Sequence, residues 1–234
     1  MSVRATLSYA ERRVAGGDQV SGGDRVLAVR HYDDAQATIK SEEGGGTPEL
    51  PDGQRLLVVH GSESGRLTIA SPAGPLERQH LDLVDVVGNT VAINQLLPSS
   101  AIEDNDTWKQ DANTIREFLC LDDVAVCEVE SVLDKKTAKF VQVRMAGVVH
   151  GTVDGAATEI ELRSVYLFSR QHRRITNMNL ALKEKRALGD ATPGLDVVAK
   201  VKLAIAPVAA APQLAEEVIA QVTASEPELA LVHN

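Results

Sequence analysis

Residues 165–182 read VYLFSRQHRRITNMNLAL. Before the run of cations, Tyr166 and Phe168 are two apart; after it, Thr176, Met178, Leu180 and Leu182 keep the same spacing. A period of two belongs to a strand with one covered and one wet face. Between the two patterns lie Arg170, Gln171, His172, Arg173 and Arg174. Two alternating strands joined by so short a polar segment reverse direction, so the stretch predicts an antiparallel hairpin with a cationic tip.

The same pattern extends outward. Upstream, residues 158–169 put Ile160, Leu162, Tyr166 and Phe168 inward, with Glu159, Glu161 and Arg163 outward. Asp154-Gly155 is a strong type I′ hairpin pair. It leads back to a strand with Val141, Val143, Met145 and Val149 on one face, and residues 124–132 precede that. Downstream, Val197, Ala199, Val201, Leu203 and Ile205 alternate with Asp196, Lys200 and Lys202. Short connections between such strands predict an antiparallel meander over 123–206.

At the N-terminus Val3, Ala5, Leu7 and Tyr9 alternate with polar residues. Residues 25–40, RVLAVRHYDDAQATIK, place Leu27, Val29, Ala35, Ala37 and Ile39 on one face. Arg30, Tyr32, Asp34, Gln36 and Lys40 take the other, and the strand's length predicts a bulge near 31–34. Gly16-Gly17 and Gly22-Gly23 bracket a loop, and residues 61–65 turn a second hairpin.

The middle has helical spacing: Leu76, His80 and Leu83; Ile93, Leu96 and Leu97; then Ile115, Phe118 and Leu119 behind Asp111 as N-cap. Trp108, the only tryptophan, is expected to be largely buried. PVAAAP reads as a linker, Pro212 opens a helix with Leu214, Val218 and Val222 on one face, and Pro227 ends it. The fold class is therefore α+β: a large, curved, mostly antiparallel sheet packed on two or three short helices. Residues 1–206 read as one β-rich domain with a helical insertion at about 75–120, and 207–234 as linker and amphipathic helix.

A chain of 234 residues with 44% apolar side chains buries a core without staples. Three Phe, three Tyr and one Trp make that core aliphatic. The net charge of -9 and the scarcity of stacking rings argue against nucleic acid as a partner. Cys120 and Cys127 have no metal-site spacing and read as small buried apolar residues. No run approaches the roughly 20 apolar residues that span a bilayer. The N-terminus has no signal-peptide core, so the chain taken literally is cytoplasmic.

Several kinds of chemistry lack their residues. Residues 61–65, GSESG, put Glu63 where a nucleophile elbow needs serine. There is no phosphate loop and no dinucleotide fingerprint, so no cofactor is implied. A calcium loop from Asp104 would need Gly at Lys109 and Glu at Ile115, so residues 103–106 read as a turn. The six histidines, His31, His60, His80, His150, His172 and His233, form no paired spacing, so no metal site is predicted. His31 and Asp33 share one side of their strand, as an acid–base pair or as an outward polar patch at a bulge. Arg170, His172, Arg173 and Arg174 bind an anion by charge-assisted hydrogen bonds or form a solvated tip that guards an edge. The cost of burying four such groups together favours a tip that is mostly exposed.

The segments SPAGPLERQHLDLVDVVGNTVAINQLLP, NDTWK, DGAATEIEL and GLDVVAKVKL resemble a family of uncharacterised bacterial proteins. The resemblance implies an exported, β-rich domain with no assigned activity and carries no catalytic residue over. Asn105 stands where that family usually has glycine before the Asp-Thr-Trp segment. The resemblance also implies a chain that begins earlier, with an export signal, and continues past the C-terminal helix; that places the protein in the cell envelope. A curved sheet over helices encloses an apolar groove. The expected function is thus a non-enzymatic binding or carrier module for an apolar ligand or a protein partner. The alternative is a structural or protein-interaction domain without a small-molecule site; an enzyme ranks third.

Overall fold

The structure, a computed structural model, describes residues 1–14, 25–42, 44–189, 194–208 and 211–224. The glycine loop at 16–23, His233 and Pro227 lie outside them. The strands divide between two sheets, not the single large sheet expected. Alternation shows that a strand has a covered face but does not say which sheet it joins. Two compact units result, Met1–Val86 with Val208–Asn234, and Val87–Pro207.

The first unit begins with β1 (Ser2–Arg13), β2 (Arg25–Ser41), β3 (Gly44–Gly46), β4 (Leu56–Gly61), β5 (Leu67–Ala70) and α1 (Arg78–Val84). The second holds α2 (Thr90–Ile93), β6 (Thr107–Lys109), α3 (Ala112–Leu119), β7 (Asp123–Lys136), β8 (Phe140–Val153), β9 (Ala156–Ser169), β10 (Arg174–Arg186) and β11 (Leu195–Ala204). The chain then returns to the first unit with α4 (Glu216–Ala224).

In the first unit the antiparallel order is β1-β2-β4-β5, with β3 also on β2. The bulge lies where the sequence puts it. Ser8 pairs Asp34 and Tyr9 pairs Tyr32, which leaves Asp33 extra. An extra residue inverts the in-out alternation beyond it. Tyr32 therefore shares a core with Ala35 and Ala37, joined by Leu50, Leu57, Leu83 and Val84. A second register shift, between Val26 and Ala28, groups Val26 with Val29, Val58, Leu214 and Ile219. The sheet is thus covered on both faces, by α1 on one and by the returning C-terminal segment on the other. Arg30 and Tyr32, expected on a wet face, are 2% and 1% exposed. The sequence does not foresee the second register slip or the second cover.

In the second unit every neighbouring pair is antiparallel, in the order β11-β10-β9-β8-β7-β6. Asp154 and Gly155 turn β8 into β9 with φ of 48° and 73°, the left-handed pair a type I′ turn requires. Val143, Met145, Val149, Ile160, Leu162, Tyr166, Met178, Leu180 and Leu182 form one core with Ile93, Leu96, Ile115 and Phe118. Its members are at most 5% exposed. Asp111 caps α3, its carboxylate accepting from the Thr114 amide at 2.9 Å. Asn105 adopts φ 67° in the turn before Trp108, the left-handed conformation that asparagine tolerates.

The Leu96 carbonyl is the polar centre of this core. It accepts from Trp108 Nε1 at 3.0 Å, Gln110 Nε2 at 3.1 Å and the Tyr166 hydroxyl at 3.3 Å. Gln110 Nε2 also donates to Ser131 Oγ at 2.7 Å. Burial pushes the Tyr166 pKa up, so its hydroxyl stays a neutral donor. Trp108 packs against the core but is half-buried, because its strand β6 is the last of the sheet. Cys120 and Cys127 are free thiols, each half-buried instead of buried. Cys120 ends α3 with φ 56°, a left-handed cap that holds it at the helix margin.

Candidate functional site

The tips of two hairpins, β7–β8 and β9–β10, meet at one end of the second sheet. The Arg170 amide donates to the Lys139 carbonyl at 3.0 Å. Phe140 pairs with Ser169, which pairs with Arg174 on its other side. The first tip is closed by Thr137 Oγ1, which accepts from the Phe140 amide at 2.9 Å. The second is anchored at its base. There the Ile175 amide donates to Asn94 Oδ1 at 3.0 Å and the His172 amide to Ser169 Oγ at 3.2 Å.

This juxtaposition gathers charge from segments about thirty residues apart. Lys135, Lys139, Arg170, His172, Arg173 and Arg174 are all exposed. Among the described residues Lys135, Lys139, Arg170, Arg173 and Arg174 form no ion pair. Lys136 differs, lying 3.0 Å from Asp104 and 4.0 Å from Glu103. Phe140 stands among the free cations with 40% of its surface exposed. The sequence identifies the arginine tip but misses Lys135, Lys139 and Phe140. Only the pairing of strand ends brings them in, and no local pattern records that register.

His31 and Asp33 lie in the first unit and do form a pair, Nδ1 to Oδ1 at 3.6 Å. Asp33 is the bulged residue, and its carbonyl accepts from Arg55 Nη1 at 2.6 Å. Arg55 also lies 2.9 Å from Asp52 and 3.6 Å from Glu49. The pair therefore belongs to a polar patch at the bulge, in which the carboxylates are exposed and His31 and Arg55 half-buried.

Nearby on the same strands sits a buried charge. Arg30 Nε donates to Glu11 Oε2 at 2.9 Å, across the register pair Glu11–Arg30. The guanidinium carbon is 5.0 Å from the Tyr9 ring centroid, and that ring is 4.8 Å from Tyr32. Burial by itself lowers the Arg30 pKa; the acidic groups Tyr9, Tyr32 and Glu11 outweigh it, and the net shift is upward. Arg30 is thus held as a permanent cation whose partners are structural. Burial likewise pushes Tyr32 up to about 12.

A third feature is apolar. On β11 the inward residues Ala199, Val201 and Leu203, with Ile205 just past its end, touch the core yet remain half-buried. On the other side of the same strand Val198 is 75% exposed. Among the described residues no three His, Cys, Asp or Glu side chains gather as a metal site would require. Comparison with protein families, with curated proteins and with solved structures gives no match to this chain.

Proposed function

We propose that the protein is a non-enzymatic binding module that takes an apolar occupant along the inner margin of β11. In this reading residues 123–206 form a meander curved over the helices at 90–119. The helices cover the inner face at β7 to β10 and leave it open toward β11. One observation carries the proposal. Along the middle of β8, β9 and β10 the inward side chains Met145, Val149, Ile160, Leu162, Tyr166, Met178, Leu180 and Leu182 are at most 5% exposed, with Val141 and Phe168 half-buried near the strand ends, while on β11 Ala199, Val201 and Leu203 are all half-buried. A half-open apolar stripe at the end of a filled core gains by burying the rest of its surface, roughly 25 cal/mol per Å². On the family resemblance of residues 71–98, we place this module in the cell envelope.

The test is titration with a fluorescent long-chain fatty acid. Saturable binding is expected, with at least a tenfold loss in Val201→Glu and Leu203→Glu. Absence of saturation, or equal affinity in both variants, would remove the apolar-ligand reading. A protein-interaction reading is favoured by a different feature of the same strand. β11 is the last strand of its sheet and presents an exposed Val198 beside its open backbone edge, which suits strand addition. Under that reading Val198→Pro abolishes partner uptake, and the parent chain shows no saturable fatty-acid binding.

A further inference from the structure

We infer that the joined hairpin tips of the second unit dock on an anionic lipid surface. This does not depend on the apolar occupant proposed for β11. Turns at 137–139 and 170–173 lie at the same end of the sheet, since the turn at 154–155 lies at the other. Structures that end together can meet a plane together. Five cations at that end, Lys135, Lys139, Arg170, Arg173 and Arg174, are free of ion pairs among the described residues. Even with Glu103 and Asp104 beside Lys136 at the same end, cations are in excess there, so the end is a local cationic face on a chain of net charge -9. An anionic bilayer attracts such a face and repels the remainder, which orients the molecule.

The aromatic ring selects the bilayer among polyanions. Phe140, Ser169 and Arg174 are register neighbours on β8, β9 and β10, so their side chains leave the sheet on the same face. An exposed phenyl ring beside arginines matches the headgroup layer, where rings enter the apolar boundary while guanidinium groups stay with phosphates. A nucleic acid strand would need several stacking rings along its path. Here the chain offers three Phe, three Tyr and one Trp, and Tyr32 and Tyr166 are buried.

The experiment is vesicle flotation of the full chain at low and physiological salt. Vesicles are phosphatidylcholine alone or with about 30% phosphatidylserine, a composition that gives a negative surface potential. Binding is expected only to the anionic vesicles, and weaker at higher salt. Arg170→Ser/Arg173→Ser/Arg174→Ser is expected to lower the partition coefficient roughly 100-fold, about fivefold per basic residue. The matching lysine triple variant should retain binding, which separates charge from fold, and circular dichroism should be the same for all. Phe140→Ala should weaken vesicle binding several-fold. No binding to anionic vesicles overturns the inference, as does unchanged binding in the serine variant. Capture of single-stranded DNA or polyglutamate without vesicle binding also overturns it and assigns the surface to another partner.

Discussion

Arg30 shows at the scale of one residue how a charge survives in an aliphatic interior. Its guanidinium keeps a carboxylate at 2.9 Å and a tyrosine ring at 5.0 Å, so the charge is offset by Glu11 and by the π face of Tyr9. Removing one member of a buried pair leaves the other's desolvation uncompensated. Glu11→Ala should therefore lower stability by roughly 3 kcal/mol in urea unfolding, whereas Glu11→Leu with Arg30→Met should recover most of it. The buried tyrosines give a second expectation. Tyr32 is pushed from 10.0 to about 12 by burial, and Tyr166 is also raised. A raised phenol pKa contributes stability that is complete below the unfolded value and lost as pH climbs through the folded one. Unfolding free energy should hence fall between pH 10 and 12, followed by denaturant titration at each pH. Alternation put Arg30 on the face opposite Leu27 and Val29, and it carries no record that this face is covered too.

At the scale of elements the close approach of β7 to β8 is set by a glycine. A Cβ on Gly147 would meet the Glu128 carbonyl oxygen and come within 2.6 Å of Val129 Cα, both backbone atoms that cannot turn aside. Gly147→Ala should lower the thermal midpoint through a loss of about 1–3 kcal/mol, the usual range for forced overpacking. If the variant melts with the parent, the two strands are not so tightly apposed. The hairpins themselves were legible from period and turn chemistry: Asp154-Gly155, the five strands after residue 123 and the Asp111 cap all lie where their residues point. The exposure of Arg170 to Arg174 was legible too, because solvated cations at a reversal need no long-range information. The partnership of that tip with Lys139 and Phe140 was not, since it depends on where two strand ends fall side by side.

At the scale of the molecule the chain leaves its first unit after α1 and comes back to it at the end. Arg12 Nη1 donates to the Leu214 carbonyl at 3.0 Å and forms an ion pair with Glu216, while Leu214 and Ile219 enter the core of the β1–β5 sheet. The C-terminal helix, read from sequence as an appendage beyond a linker, is thus packed into the first unit's own core. Leu214→Ala should cost about 2–5 kcal/mol there, as deletion of a buried leucine side chain does. Amide exchange should accelerate in β1, β2 and β4 and stay slow in β7 to β10, since each unit has its own core. Equal acceleration in both sheets would mean that the units unfold as one.

By itself the sequence determined the local conformations: which stretches alternate, where the turns and caps fall, where β2 must bulge, and that the core is aliphatic. These follow from side-chain spacing and backbone sterics over a few residues. Only the tertiary structure decided that the strands form two sheets, that Arg30 and Tyr32 are inside, that the last helix covers the first sheet and that two basic tips adjoin. Each of these is a matter of register or docking between segments far apart in the chain. Burial there is a property of what arrives from elsewhere, and periodicity carries no record of it.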